Sequence, residues 1–233
     1  MAFHFRQFDV EDAHSTMRVG TDAMMLGSWA EPGKAMRILD VGTGCGVLAL
    51  MMAQKSAATI STIDIDPESV TEAQNNFNRC LWRDRLFAIH QSLRDFALGP
   101  GQGCDFIIAN PPWFSNSLKS PSDRKNNTRH DQSLSFELLV ADVVKILTRE
   151  GVFILILPAV MAGEFIETAR MKGLYLRRRM QVRPKPEAPA LRTLMEFSRD
   201  ECNTPGKITL AIRDETGAFS VEYLALTNGF HNF

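Results

Sequence analysis

A buried strand that runs directly into a glycine-rich turn and then a helix is the feature that most constrains this chain. Residues 38–47 read ILDVGTGCGV, with glycines at positions 42, 44 and 46. Glycine adopts turn conformations that other residues avoid and lets a backbone approach a ligand closely. The dinucleotide-binding fingerprint is G-x-G-x-x-G, and its third glycine would fall on Val47. The spacing therefore indicates a ligand-binding turn but argues against a nicotinamide cofactor.

Strands and helices alternate along the rest of the chain. Apolar runs at 58–63, 86–90, 105–109 and 152–157 predict strands, and amphipathic segments between them predict helices. This order is typical of an α/β fold with a mostly parallel sheet and helices on both faces. At 233 residues, with no internal repeat or linker, the chain is expected to form a single domain over residues 1–233.

Two aspartates follow the strand predicted at 58–63. An acidic side chain at the carboxyl end of such a strand can accept hydrogen bonds from both hydroxyls of an adenosine ribose. Asp66 is a rival for this role, but it lies beside Pro67, a residue suited to the first turn of a helix. We therefore predict that Asp64 is the ribose ligand.

A second motif, Asn110-Pro111-Pro112-Trp113, follows the apolar run at 106–109. The Asn side-chain oxygen and a proline carbonyl can both accept hydrogen bonds from one planar amino group, and an aromatic ring can stack on the ring that bears it. The motif therefore suits chemistry on a conjugated amine. The alternative is a plain turn after a strand, since proline forces the residue before it into an extended conformation.

Together these motifs, in this order and spacing, resemble the class I S-adenosylmethionine-dependent methyltransferases. The N-P-P-aromatic element is similar to that of the branch that methylates amino groups of adenine, cytosine, guanine or glutamine. Residues 5–8 (FRQF), 17–30 (MRVGTDAMMLGSWA) and 223–227 (YLALT) further resemble the bacterial tRNA(Val) adenine-N6 methyltransferases, which act beside the anticodon. The likeness runs nearly from end to end, and it departs at Trp113, where Tyr or Phe is usual.

The resemblance implies a doubly wound, Rossmann-like fold whose mostly parallel sheet has seven strands and an antiparallel C-terminal strand. Residues 1–35 would form a cofactor-closing segment, and residues 36–233 the core. S-adenosylmethionine is the implied cofactor, with contacts from Asp22, Asp40, Gly42, Gly44, Gly46, Asp64, Ser92 and Asn110. Asp22 either closes the methionine end of the cofactor or caps the first helix. The implied catalytic residues are Asn110, Pro111, Pro112 and Trp113.

Charge is unevenly distributed in a chain whose formal net charge is only -1. Between positions 175 and 192, six basic side chains face the single acidic Glu187, and four basic residues face two acidic ones between 118 and 131. Such segments favour contact with phosphates. The residues predicted to bind tRNA are Lys119, Arg124, Lys125, Arg129, Arg177, Arg178, Arg179 and Trp113. The polar segment 114–132 is too long for a simple connector, which indicates a lid or substrate-binding role.

Several classes of protein are disfavoured by the sequence. The four cysteines are widely spaced without a CxxC pair, so we expect neither a metal site nor a disulfide framework, in keeping with a reducing cytoplasm. No segment is typical of an export signal or a membrane span, and nothing indicates a stable protein partner. A guanine-N2 rRNA methyltransferase and a glutamine-N5 protein methyltransferase remain the alternatives, although the second would need a helical substrate domain before the glycine turn.

Overall fold

The computed structural model describes residues 2–15, 18–100, 103–111 and 135–231. The strands in these ranges are β1 Ala2–His4, β2 Asp9–Glu11, β3 Arg37–Val41, β4 Thr59–Asp64, β5 Leu86–His90, β6 Cys104–Ala109, β7 Leu147–Pro158, β8 Tyr175–Arg183, β9 Arg192–Ser198 and β10 Gly206–Ala211. The helices are α1 Thr21–Trp29, α2 Val47–Lys55, α3 Pro67–Asn78, α4 Leu93–Leu98, α5 Phe136–Ile146, α6 Ala162–Met171 and α7 Val221–Thr227.

One sheet organises the described chain, with strand order β10-β8-β9-β7-β6-β3-β4-β5, while β1 and β2 form a separate antiparallel pair. The five neighbouring strands β7, β6, β3, β4 and β5 are parallel to one another. Strand β9 runs antiparallel to both β7 and β8. The predicted α/β fold with a mostly parallel sheet is confirmed. The predicted number of seven strands is wrong, because β10 adds an eighth strand parallel to β8 and covers its open edge.

Local sequence signals set several helix starts as predicted. Asp66 caps α3 by accepting a hydrogen bond from the backbone N–H of Ser69, and Pro67 occupies the first turn. Ser135 caps α5 in the same way through Leu138. A 3-10 turn, Ala159–Met161, leads from β7 into α6.

Two hydrophobic cores cover the two faces of the sheet. Successive residues of β6 alternate between them: Phe106 and Ile108 pack with α1, α2 and α3, whereas Ile107 and Ala109 pack with α5 and α6. Helix α1 is buried along most of its length, and a Cβ at Gly27 would collide with Met51 of α2. The part of the predicted segment 1–35 that forms α1 thus belongs to the core, and the methionines of α1 and α2 fill it.

Candidate active site

The carboxyl ends of four neighbouring strands carry the predicted cofactor contacts other than Asp22. In the order β6-β3-β4-β5, Asn110 and the glycine turn follow the first two strands, Asp64 ends the third, and Ser92 lies after the fourth. Ala109 of β6 pairs with Val41 of β3, so Asn110 and Gly42 each lie one residue beyond the same rung of the sheet. Ligands of open α/β sheets bind at this edge, outside the carboxyl ends of the strands.

Left-handed backbone conformations shape the glycine turn, with φ of 76° at Gly42, 51° at Gly44 and 84° at Gly46. The backbone N–H of Gly42 donates to the Ile63 carbonyl at 2.9 Å, which ties the turn to β4. A Cβ at Gly42 would meet open space, as a ligand-facing position requires. A Cβ at Gly46 would lie 2.6 Å from the Phe77 ring of α3. Close packing therefore requires glycine at this position in addition to the positive φ.

Asp64 faces the glycine turn. Its carboxylate accepts hydrogen bonds from the backbone N–H of Gly44 and of Asp66, both at 3.0 Å. The Asp66 side chain instead accepts from Ser69, whose hydrogen bonds hold the pKa of Asp66 below its usual range. The two aspartates therefore differ in the structure, since Asp64 orients toward the turn and Asp66 caps a helix, and the ribose contact of Asp64 stays a prediction.

Asp40 lies buried beneath the turn. The Thr43 hydroxyl donates to its Oδ2 at 3.0 Å, while Oδ1 is buried and has no hydrogen-bond partner in the described part of the chain. Burial raises the pKa of Asp40 to about 7, the Thr43 hydrogen bond lowers it, and the charge of Asp64 raises it further. A cationic ligand over the turn would stabilise the ionised form, so this carboxyl group suits a sulfonium or ammonium group nearby.

Asn110 and Pro111 are half-buried at the end of β6. Within the described ranges, the Asn110 side-chain amide has no hydrogen-bond partner. The rest of the predicted substrate site lies outside the described residues, namely Pro112, Trp113, Lys119, Arg124, Lys125 and Arg129.

Two predicted cofactor contacts have other partners in the structure. The Ser92 hydroxyl caps α4, accepting from the Asp95 backbone at 3.1 Å and donating to its carboxylate at 2.7 Å. The N-cap of α1 is Gly20, so the prediction that Asp22 caps this helix is wrong. Arg192 Nε instead donates to the Asp22 carboxylate at 2.7 Å.

The arginine run of β8 divides between the protein interior and the surface. Beyond the irregularity between Leu176 and Arg178, side chains alternate along the strand, so Arg178 points to the opposite face from Arg179. Arg178 donates to Glu196 at 2.6 Å and stacks on the Trp29 ring at 4.3 Å. These contacts engage Arg178 in packing, and its contact with RNA stays a prediction. Arg177 is exposed.

Two polar residues of α3 that the sequence analysis missed hold the N-terminal segment against the site. Glu72 accepts backbone hydrogen bonds from residues 13, 14 and 15 at 2.8–3.0 Å. Burial raises its pKa, but these hydrogen bonds outweigh burial and lower it. Asn76 donates at 2.8 Å to the carbonyls of Glu11 and Cys45, which joins the segment to the glycine turn. Their signal is a polar pair at positions i and i+4, on the buried side of a helix.

Comparison with known proteins identifies the family. A family model described as ribosomal protein L11 methyltransferase (PrmA) matches residues 14–111. A tRNA1(Val) (adenine(37)-N6)-methyltransferase from Parabacteroides distasonis is 37% identical, over 98% of this chain and 97% of the relative. Proteins of the same name from Phocaeicola vulgatus and Shewanella loihica are 38% and 35% identical over at least 97% of each chain. The chain belongs to the tRNA1(Val) (adenine(37)-N6)-methyltransferase family.

Solved structures give the fold of this methyltransferase family member independently. A predicted O-methyltransferase, Atu636 from Agrobacterium tumefaciens, superposes with a TM-score of 0.68 at 20% identity, over 90% of this chain and 96% of that one. The ribosomal protein L11 methylase of Lactobacillus delbrueckii gives a TM-score of 0.53 at 19% identity, over 76% and 77% of the two chains. At these identities the likeness establishes the class I methyltransferase fold alone.

The described part of the methyltransferase contains neither a candidate membrane span nor a candidate metal site. Within the described ranges, no helix is both long and apolar enough to cross a membrane. No group of three or more His, Cys, Asp or Glu side chains in those ranges could hold a metal ion.

Proposed function

We propose that this enzyme methylates N6 of the adenine 3′ of the anticodon in tRNA(Val), with S-adenosylmethionine as methyl donor and tRNA as its partner in the cytoplasm. The observation that carries the proposal is the position of Asn110 beside the glycine turn, on adjacent strands at one edge of the sheet. An acceptor for an amino group and a turn for a nucleoside cofactor then share one site. Family membership supplies the choice of tRNA and of adenine.

The residues at the glycine turn fit S-adenosylmethionine. Asp64 lies at the end of β4 with its carboxylate turned toward Gly44, where it can accept from ribose hydroxyls. Gly42 leaves open space for close approach, and the unpartnered Oδ1 of Asp40 offers an acceptor beneath the turn. When bound, S-adenosylmethionine supplies an electrophilic methyl group on a sulfonium. Asp22 and Ser92 stay proposed cofactor contacts, although Arg192 and Asp95 are their hydrogen-bond partners in the structure.

Asn110 and Pro111 would prepare the nitrogen for transfer. The lone pair of an adenine amino group is delocalised into the ring, so the planar nitrogen is a poor nucleophile. The Asn110 side-chain oxygen and the Pro111 carbonyl would each accept a hydrogen bond from one N–H of the amino group. These two hydrogen bonds favour a pyramidal nitrogen with a localised lone pair. The target base must leave its stack to reach them, and we expect Trp113 to hold the extruded base.

A strong general base is unnecessary in this scheme. The N6 proton becomes acidic once the methylated nitrogen carries a positive charge, and water or the Asn110 oxygen can then accept it. The residues of the site therefore position and polarise the substrate amino group through preorganised hydrogen-bond acceptors.

Methylation of tRNA from a strain that lacks the gene tests the proposal. The protein is incubated with labelled S-adenosylmethionine and total tRNA, and the nucleosides are then analysed by mass spectrometry. We expect N6-methyladenosine, with Asn110→Ala as the inactive control. N2-methylguanosine or labelled protein in place of N6-methyladenosine would support the guanine-N2 or glutamine-N5 alternative and refute adenine methylation.

A further inference from the structure

A cavity of about 530 Å³ opens away from the glycine turn, where the N-terminal and C-terminal parts of the described chain meet. Its wall contains four aromatic side chains, Phe3, Phe219, Tyr223 and His231, and two cationic ones, Lys185 and Arg213. A volume of this size falls within the usual range for small-ligand sites. The catalytic scheme above uses none of these six residues.

Planar groups are stacked along one side of the cavity. The Phe219 and Tyr223 rings are 4.9 Å apart at an interplanar angle of 19°, and the Arg213 guanidinium lies 4.5 Å from the Phe219 centroid. The His231 ring lies 6.4 Å from Tyr223 and 6.3 Å from Phe3. Tyr223 is buried and Phe219 is partly exposed, so the wall offers apolar ring edges beside a cation, and aromatic groups with cations are used by proteins to bind nucleic-acid bases.

Two cationic side chains, Lys185 and Arg213, lie in the wall of the cavity. Lys185 is exposed and forms no ion pair with any described residue. The nearby acidic groups are already engaged, because Asp22 pairs with Arg192 and Asp214 accepts hydrogen bonds from Thr216 and Ala218. Burial lowers the pKa of the His231 imidazole. Lys185 is therefore available to a phosphate, and Arg213, whose Nη1 donates to the Gly217 carbonyl at 2.8 Å, has further N–H donors.

A second, smaller cavity of about 170 Å³ connects this region to the carboxyl edge of the sheet. It shares Thr21, Pro184 and Ile212 with the first, and it extends to Ile156 of β7 and to Arg192. Strands β8 and β6 are three intervals apart in the sheet. Because neighbouring strands lie about 4.8 Å apart, the end of β8 is roughly 14 Å from the end of β6, which Asn110 follows.

We propose that the cavity around Lys185, Arg213 and Phe219 is a nucleotide-binding subsite that holds a second nucleotide of the RNA substrate, separate from the target adenine. The aromatic wall contacts the base, and Lys185 and Arg213 each contact one of the two phosphates that flank it. The inference rests on the proposed function, because it names an additional contact of the same RNA. It gives the enzyme a hold on the RNA that does not depend on flipping the target base.

Fluorine NMR on the full chain tests the subsite without relying on catalysis. The chain has two tyrosines, so 3-fluorotyrosine labelling gives one resonance from Tyr223 and one from Tyr175, which a Tyr175→Phe variant assigns. Tyr175 begins β8, at the opposite end of that strand from the cavity, and serves as the internal control. On addition of a single-stranded heptaribonucleotide we expect Tyr223 to shift and Tyr175 to stay. An unmoved Tyr223, or equal shifts of both, would overturn the proposal.

Binding across a salt series gives a second readout. For the double variant Lys185→Ala, Arg213→Ala, the slope of log affinity against log salt should fall by roughly 1.4, because each phosphate contact on a single strand contributes about 0.7. Lys172→Ala, an exposed lysine at the end of α6, should leave the slope unchanged. Arg213 also packs on Phe219, so the double variant could lose stability. The single variant Lys185→Ala keeps that contact, and its salt slope should fall by about 0.7.

The two proposals fail separately. If the wild-type protein methylates tRNA but Tyr223 does not move and the double variant keeps its salt slope, the subsite is refuted and the proposed function stands. If no tRNA is methylated while Tyr223 still shifts with RNA, the proposed reaction is refuted and the subsite stands.

Discussion

The carboxylate of Asp64 accepts the backbone N–H of Gly44 at 3.0 Å, so one hydrogen bond joins the end of β4 to the glycine turn that follows β3. These two elements are 20 residues apart in sequence but adjacent in the sheet. A ligand that contacts the turn therefore also meets this carboxylate.

We predict that Asp64→Ala weakens S-adenosylmethionine binding by about 1 to 3 kcal/mol, the usual range for a hydrogen bond to a charged group. Asp66→Ala is the matched control: it should lower the free energy of unfolding by about 0.5 to 2 kcal/mol through the lost helix cap, without changing affinity. Calorimetric titration and urea unfolding measure the two effects. If Asp66→Ala were the variant that lost affinity, the assignment of the ribose ligand would be reversed.

Asn110→Ala should lower kcat by roughly a hundredfold or more, as expected for the loss of one preorganised polar group at the reacting centre. Cofactor affinity should stay within a few-fold of wild type, because the side chain is assigned to the substrate amine. Single-turnover methylation of tRNA, with S-adenosylhomocysteine titrated in parallel, separates the two quantities. Activity close to wild type would remove Asn110 from the mechanism.

Substitutions at Gly42 and Gly46 should have different consequences. Both have positive φ, and alanine there costs about 1 to 2 kcal/mol of strain. At Gly46 the added Cβ would also press on Phe77, which brings the expected loss of stability to about 2 to 5 kcal/mol. Gly42→Ala should mainly reduce cofactor affinity, since its Cβ points into open space. Equal destabilisation of the two variants in urea would contradict this division.

The arginines of β8 should separate into a packing residue and a surface residue. Arg178→Ala removes the contacts with Glu196 and Trp29, so we expect the free energy of unfolding to fall by about 1 to 3 kcal/mol. The salt dependence of tRNA binding should stay unchanged. Arg177→Ala should leave stability unchanged and flatten the salt dependence by about 1 unit of slope. The converse pattern would return Arg178 to the RNA-binding surface.

Asp40 should make the protein less stable as pH rises. Its pKa is about 7 when folded and 3.8 as a model value, so the folded state holds a proton that the unfolded state has lost. The free energy of unfolding should fall between about pH 4 and pH 7 by a few kcal/mol, and then level off. Asp40→Asn should abolish this part of the decline. Urea unfolding at pH 4.5 and 7.5 measures it, and parallel curves for the two proteins would show that Asp40 does not titrate in this range.

Local sequence rules accounted for the elements around the site. The strand before Asp64, the cap at Asp66 and the proline at position 67 follow from the next few residues, because hydrophobic spacing, capping and fixed proline φ act over one helical turn. The row formed by Asn110, the glycine turn and Asp64 could also be expected, since parallel strands bring their carboxyl ends to one edge.

Contacts between distant parts of the chain were decided only by the tertiary structure. Asp22 and Arg192 are 170 residues apart in sequence, and their ion pair has no local sequence signal. From its neighbours alone, Asp22 was equally suited to cap a helix. The packing of Arg178 on Trp29 depends on which face of β8 meets α1, and the addition of β10 depends on an open strand edge. Sequence by itself determined the local elements and the chemistry at their ends. The partners of polar side chains were determined by strand order and register, because these set which faces come within hydrogen-bond distance.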